Sequence, residues 1–268
     1  MMQRAKKIGD KIRYPCWNLD GKIALITGAS RGLGRWISLG LSQAGAAVAI
    51  TARTCDDLQK TANEIEAIGG KVIAIHGNIS DVESVRKIVR KTIREFGQID
   101  VLVNNAGVSC RTKFLEVTPD EFDYVSDVNF KGLFFMTQAV VREMIKQGRG
   151  GKIINISSTK GILVRPGIPG TVYSGTKGAV NMFTRSLAEE LASFKVSVNA
   201  VGPGLFATPM TKSTWSDPAK LEPFMALTPM KTVGVAKDII GPVIFLASDA
   251  SDYMTGQILY LDGGRTVL

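Results

Sequence analysis

A tyrosine and a lysine stand four residues apart at Tyr173 and Lys177, within a stretch from Thr171 to Ala192 that carries helix formers and apolar residues at helical spacing. Positions i and i+4 share one helix face, so the phenol and the ammonium are expected one turn apart. A cation at that distance favours phenolate over phenol and pulls the tyrosine below its usual pKa of about 10. The result is a proton donor and acceptor usable near neutral pH, as general acid–base catalysis requires. By itself such a pair is ordinary on a solvated helix; its meaning depends on what the chain brings beside it.

The elements that position the pair can be read in order. Lys22–Thr27 is a short apolar run with the character of a buried parallel strand. It enters Gly28-Ala29-Ser30-Arg31-Gly32-Leu33-Gly34 and then a helical pattern that closes at Gly45. Strand, glycine-rich turn and helix form the context of a phosphate-binding loop: the backbone approaches an anion closely, and the helix N-terminus offers free N–H groups. A second strand, Ala46–Thr51, ends in Ala52-Arg53, where a carboxylate for a ribose hydroxyl is missing. Arg31 and Arg53 together suit a ribose 2′-phosphate, which favours NADP(H) over NAD(H).

Alternation continues with helices at Asp56–Ile68, Asp81–Phe96, Pro119–Gln147 and Val235–Ser248, and strands at Lys71–His76, Asp100–Val103, Lys152–Ile156, Lys195–Ala200 and Gln257–Leu261. This predicts an α/β fold, a single doubly wound Rossmann-type domain with a parallel sheet of about seven strands flanked by helices. Ligands bind such sheets at the carboxyl ends of the strands. That edge gathers the glycine loop, Arg53, Asn78, Asn104 to Gly107, Ser157-Ser158 and Pro203-Gly204.

The chain has 268 residues, 45% of them hydrophobic, enough for a full core. A basic extension at 1–18 precedes a single domain at 19–268. The net charge is +9, and Arg4, Lys6, Lys7, Lys11 and Arg13 stand against Asp10 in the first thirteen residues. No base-stacking aromatics accompany them, so a solvated tail is expected rather than a nucleic-acid partner. Cys16, Cys55 and Cys110 make neither a disulfide framework nor a metal site, and the single histidine, His76, argues against a histidine-based centre. With no apolar run of membrane-spanning length and no visible signal peptide, a cytoplasmic protein without membrane association is expected.

In this order and spacing the motifs resemble the short-chain dehydrogenase/reductase family from about residue 19 to 264. They are Thr27-Gly28-x-x-x-Gly32-x-Gly34, Asn104-Asn105-Ala106-Gly107, Asn129 before Lys131-Gly132, a serine after the fifth strand, Tyr173-x-x-x-Lys177, Pro203-Gly204 and Leu261-Asp262-Gly263-Gly264. The resemblance is nearest to 3-oxoacyl-carrier-protein reductases and gluconate 5-dehydrogenase-like members. It implies catalytic roles for Asn129, Ser158, Tyr173 and Lys177, with Ser157 the lesser candidate for the serine. Tyr173 passes the proton, Lys177 depresses its pKa and holds the nicotinamide ribose, the serine polarises the carbonyl, and Asn129 holds a relay water. Cofactor contacts are implied at Gly28, Ser30, Arg31, Gly32, Leu33, Gly34, Arg53, Asn78, Ile79, Asn105, Ala106, Gly107, Tyr173, Lys177, Pro203, Gly204 and Thr208.

The activity so implied is NADP(H)-dependent hydride transfer between nicotinamide and a ketone or secondary alcohol. The substrate is a 3-oxoacyl thioester on carrier protein or CoA, a keto-sugar acid or a general ketone. A segment at about 205–230 reads as a substrate lid, and Arg111, Lys113 and Arg165 fall in loops near the active-site edge where an anionic substrate can meet them. The family also implies a homotetramer. The alternative is a catalytically inactive dinucleotide-sensing regulator on the same fold, whose signature is loss of the tyrosine or lysine; both are present.

Overall fold

The computed structural model describes residues 17–164 and 167–268. The basic extension up to residue 16, with Cys16, and Arg165 and Pro166 in the loop before Tyr173 lie outside the described residues. Seven strands form one parallel sheet: β1 (Ile23–Thr27), β2 (Ala47–Ala52), β3 (Val72–His76), β4 (Val101–Asn104), β5 (Gly151–Ile156), β6 (Val196–Pro203) and β7 (Ile258–Leu261). Their order is β3-β2-β1-β4-β5-β6-β7. The direction of winding reverses between β1 and β4, and there the strand ends part to leave a crevice.

The apolar runs form strands because both faces of the sheet are covered, which removes the hydrophobic–polar alternation of a half-exposed strand. Ala24 and Ile26 of β1 face one layer, with α1 (Gly32–Gln43), α2 (Cys55–Ala67) and α9 (Ala236–Ala247). Leu25 faces the other, with α3 (Val82–Phe96), α5 (Gly132–Gln147) and α6 (Thr171–Leu191). Two short helices, α7 (Lys212–Trp215) and α8 (Pro218–Ala226), lie in the expected lid segment.

The long helix expected over Pro119–Gln147 is interrupted. It runs as α4 (Pro119–Ser126), a π-helical turn (Asp127–Lys131) and α5. The widened turn admits an extra residue into the helix, and it carries Asn129 into the interior, where its side chain is fully buried. At Gly132, directly after the turn, a Cβ would lie 2.6 Å from the Ile79 carbonyl oxygen, so only glycine lets the loop after β3 pack there.

Candidate active site

At the crevice the ends of β1 and β4 are laced together. The Thr27 hydroxyl accepts from the backbone N–H groups of Asn105 (3.0 Å) and Ala106 (3.1 Å), and Asn105 Nδ2 donates back to the carbonyls of Thr27 (2.8 Å) and Gly28 (3.0 Å). Gly28 adopts φ 65°, and a Cβ on Gly34 would lie 2.3 Å from the Gly28 carbonyl oxygen. Both positions therefore require glycine for the loop to turn this tightly onto α1. No acidic residue occupies the first turn of α1, which leaves its positive end open to an anion.

Arg31 and Arg53 stand at the far end of this edge. Arg53 Nη2 donates to the Tyr124 hydroxyl at 3.2 Å, and its guanidinium lies 5.8 Å from the centre of that ring. The ring nitrogen Nε2 of His76 meets the Arg53 carbonyl oxygen at 3.0 Å, a structural use of the chain's single histidine. Asn78 Oδ1 accepts from Ser80 N at 3.2 Å, a short turn that retains a second lone pair on that oxygen.

At the other end of the same cavity, α6 delivers Tyr173 and Lys177. Lys177 Nζ lies 5.7 Å from the centre of the Tyr173 ring and donates to the Ile156 carbonyl at 2.7 Å. Ser158 hydrogen-bonds Tyr173 through its side chain, and its Oγ accepts from Lys160 N at 3.2 Å. Ser157 also lines the cavity but is buried, and its hydroxyl donates to Asn181 Oδ1 at 2.6 Å. Asn129 uses both halves of its amide on Val108, accepting from its N–H and donating to its carbonyl, each at 2.8 Å, and its Nδ2 also reaches Thr176 Oγ1 at 3.1 Å. It thereby ties the loop after β4 to the helix turn between Tyr173 and Lys177.

Burial governs the titration of the pair. Lys177 is 4% exposed, and desolvation lowers it from the ordinary 10.5 to about 8. Desolvation raises the Tyr173 phenol, and the Ser158 hydrogen bond acts in the opposite direction. This corrects the expectation drawn from the sequence that Lys177 brings the tyrosine down. The two sit a turn apart as expected, but removal from water penalises the phenolate more than its surroundings favour it.

One cavity of about 560 Å³ runs from Arg31 and Arg53 to Tyr173. Gly28, Ser30, Gly32 and Leu33 line it from the glycine loop, and Asn78, Ile79, Asn105, Ala106 and Gly107 from the ends of β3 and β4. Ser158, Lys177, Pro203, Gly204 and Thr208 complete that wall. Two expected residues do not reach the cavity: Gly34 lies beneath Gly28, and Asn129 acts from behind Val108. Tyr124, missed in the sequence, lines the cavity and holds Arg53; 71 residues separate them, and no spacing links an exposed helical tyrosine to a strand end.

A second cavity of about 140 Å³ adjoins the first at Ser158, Tyr173 and Gly204. Arg111 lines it, whereas Lys113 is exposed and lines neither cavity. Among the described residues there is no group of three or more His, Cys, Asp or Glu placed to hold a metal ion, and no helix is long and apolar enough to cross a membrane.

Comparison with known proteins agrees with this geometry. A family model described as short chain dehydrogenase matches residues 22–219. The chain is 39% identical over 248 residues to 2-dehydro-3-deoxy-D-gluconate 5-dehydrogenase of Dickeya dadantii (strain 3937), covering 92% of this chain and 96% of that protein. It is 39% identical over 250 residues to a 3-oxoacyl-(acyl-carrier-protein) reductase of Thermotoga maritima, covering 93% and 99% of the two chains. Among solved structures it resembles a gluconate 5-dehydrogenase from Burkholderia cenocepacia J2315, crystallised in complex with NADP and tartrate. That match has a TM-score of 0.89 at 36% identity and covers 95% of this chain and 98% of the other.

Proposed function

The chain belongs to the short-chain dehydrogenase family and is an oxidoreductase of CH–OH groups, and on that premise we propose that it uses NADP(H) to interconvert a ketone and a secondary alcohol, with Tyr173 as proton donor and acceptor. The observation that carries the reading is the placement of Tyr173, Ser158 and Lys177 at one end of a cavity whose other end holds Arg31 and Arg53. The residues present fit the dinucleotide: glycine at 28 and 34 lets the loop turn tightly onto α1 and bring its backbone to the cavity wall, and the first turn of α1 bears no competing carboxylate. When bound, NADPH supplies the hydride. The relatives named above act on sugar acids and 3-oxoacyl carrier protein, so keto-sugar acids, 3-oxoacyl thioesters on carrier protein or CoA, and general ketones are the substrate classes to try.

Each residue then has a defined task. Ser158 and Tyr173 present their hydroxyls to a carbonyl oxygen from the same side, and the serine's hydrogen bond strengthens as charge develops there. Tyr173, kept protonated by burial, gives its proton to that oxygen in reduction and takes it back in oxidation. Lys177 holds the cofactor's ribose and the end of β5 through Ile156. Asn129 fixes Val108 and Thr176, and so sets where the loop after β4 meets α6.

The chain works as a homotetramer in the cytoplasm. Support for assembly comes from an aromatic face on the π turn, α5 and α6. There Phe134 packs against Phe130, Phe135 and Phe183 at centroid distances of 6.5, 5.3 and 5.4 Å, while Phe134 and the nearby Met182 stay exposed. Free thiols at Cys55 and Cys110 suit a reducing compartment. The experiment for the catalytic reading is NADPH oxidation by the purified protein over a panel of ketones, oxo acids and 3-oxoacyl thioesters, repeated with Tyr173→Phe. Turnover lost in the variant by about 10²–10⁴-fold, with NADPH binding retained, is expected; undiminished turnover overturns the role of Tyr173.

A further inference from the structure

The smaller cavity opens at the reacting centre, since Ser158 and Tyr173 belong to both cavities, and its walls carry an unusual charge pattern. Arg111, Lys160 and Arg265 line it, and among the described residues no aspartate or glutamate does. Arg265 is the distinctive member. It is 9% exposed, follows the glycine pair at the end of β7, and takes part in no ion pair with a described carboxylate. Asp262, three residues earlier, spends its carboxylate on the backbone: Oδ1 accepts from Gly264 N at 2.9 Å and Oδ2 from Thr266 N at 2.8 Å. Among the described residues Arg265 makes a long hydrogen bond to the Phe224 carbonyl, at 3.4 Å, and its guanidinium lies 4.5 Å from the centre of the Phe224 ring.

A largely buried guanidinium with no ion-pair partner among the described residues is costly, and an anion bound beside it offsets that cost. Contact of the ring with a guanidinium leaves the N–H donors at its edge available, and that edge matches the two oxygens of a carboxylate. Arg111 adds a second cation on the outer wall, with Nη2 3.5 Å from the Thr214 hydroxyl. Lys160 Nζ, on the same wall, lies 5.9 Å from the centre of the Tyr173 ring. The geometry points to a carboxylate-binding subsite: the substrate is an oxo acid or hydroxy acid whose carboxylate is held by Arg265, with Arg111 beside it, while its carbonyl or alcohol carbon lies at Tyr173 and Ser158. The inference rests on the oxidoreductase reading above and narrows its substrate class. In reduction the carbonyl carbon gains a hydride from NADPH and its oxygen a proton from Tyr173; the carboxylate is unchanged. A 3-oxoacyl thioester, neutral near its carbonyl, leaves Arg265 unmatched.

The test uses three oxo acids that differ in the spacing of ketone and carboxylate: acetoacetate, levulinate and 5-oxohexanoate, each beside its methyl ester. NADPH oxidation gives kcat/KM for both members of each pair, and calorimetry gives the binding of levulinate to the NADPH-loaded protein. For the best-placed acid, wild type is expected to favour acid over ester by about tenfold or more, the factor a single charge-assisted contact supplies. Arg265→Met is expected to lose that preference by slowing the acid while ester turnover stays within about threefold of wild type, and Arg265→Lys to keep part of it. Arg111→Gln, at the outer wall, lowers acid turnover by a smaller factor and remains informative if the buried position tolerates no change. Esters turned over as well as acids in wild type, or acid and ester slowed equally by Arg265→Met, overturn the subsite and leave the oxidoreductase reading intact. No turnover of any acid and no levulinate binding, while other ketones of the wider panel are reduced, likewise overturns the subsite alone; no NADPH oxidation with any member of that panel overturns the ketone-reductase reading.

Discussion

The hydroxyl of Ser157 donates to Asn181 Oδ1 at 2.6 Å inside the protein. Its neighbour Ser158 faces the cavity and hydrogen-bonds Tyr173. The two serines thus differ in what their hydroxyls engage, because successive side chains of an extended chain point to opposite sides, and the proposed roles make Ser157 structural and Ser158 the one that meets the substrate. Ser157→Ala leaves a buried acceptor unpaired, which costs about 1–3 kcal/mol in stability, and is expected to lower the urea midpoint with little effect on turnover. Ser158→Ala is expected to reverse this pattern, with the midpoint near wild type and kcat reduced by roughly 10²-fold. Denaturation curves and steady-state rates on both variants decide it; a larger fall in kcat for Ser157→Ala exchanges the two roles.

Burial of Tyr173 sets the direction of its pH dependence. The phenol is raised, so it is protonated through the neutral range and loses its proton only at alkaline pH. Reduction needs the phenol, and its kcat/KM is expected to stay level across neutral pH and fall only once the solution becomes strongly alkaline. Oxidation needs the phenolate, whose share grows about tenfold per pH unit below the pKa, so its kcat/KM is expected to climb through the same range. Parallel profiles measured in both directions test the sign. An oxidation rate that does not change from about pH 6 to about pH 9 removes Tyr173 from the proton transfer.

Most of the fold was legible because a buried parallel sheet writes itself as short apolar runs between helical patterns, and each strand here lies within a few residues of its run. The glycine loop and the Tyr173–Lys177 pair were legible because local geometry imposes their spacing. What stayed hidden depends on contacts between distant segments. The π turn at Asn129 and the link from Tyr124 to Arg53 have no local signature. Arg265 reads in sequence as one more charge near the end of the chain; only the packing of the chain shows it to be buried against Phe224 in a cavity that Tyr173 also lines. The balance of effects on Tyr173 is hidden from the sequence for a related reason. Helical spacing gives the distance to Lys177, whereas the desolvation that prevails depends on how the whole cavity closes around the phenol.

Lys177 gives a prediction on stability. A base whose folded pKa lies below its unfolded one is protonated more in the unfolded state between the two values, so its contribution to stability rises with pH over that window. For Lys177 the window runs from about 8 to 10.5. Below it the folded protein bears the full cost of a buried ammonium, about 3 kcal/mol for this interval. Lys177→Met removes the ammonium and also the bond to Ile156, so the offset between variant and wild type depends on both losses. Its pH trend does not. The stability of the variant relative to wild type is expected to be highest near pH 7 and to decline by about 3 kcal/mol toward pH 10.5. Urea unfolding of both proteins at a series of pH values, without added dinucleotide, measures the trend. A constant difference shows that Lys177 keeps its ordinary pKa in the folded state.

Cofactor choice is the last prediction, and Tyr124 sharpens it. Ala52 at the end of β2 has no charge to repel a phosphate, and Arg53 beside it is oriented by the Tyr124 hydroxyl and ring. Arg31 lies exposed at the start of α1. Charge-assisted hydrogen bonds from these two guanidinium groups to a 2′-phosphate are worth about 1.5–3 kcal/mol each, and NADH offers nothing in return. The preference for NADPH is therefore expected to reach at least about tenfold in kcat/KM, for which 1.4 kcal/mol suffices. Both arginines are exposed, so the preference is expected to shrink as salt rises. Tyr124→Phe removes the hydroxyl that steers Arg53 and keeps the ring, so it is expected to lower the preference by a few-fold, about the worth of one neutral-partner hydrogen bond. Ala52→Asp combined with Arg53→Leu installs a carboxylate that accepts the ribose hydroxyls and repels the phosphate, and is expected to reverse the preference. Steady-state kcat/KM with NADPH and with NADH, for wild type and both variants at low and high salt, makes the comparison. Equal efficiencies in wild type, or a double variant that still favours NADPH, show that Arg53 and its neighbours do not choose the cofactor.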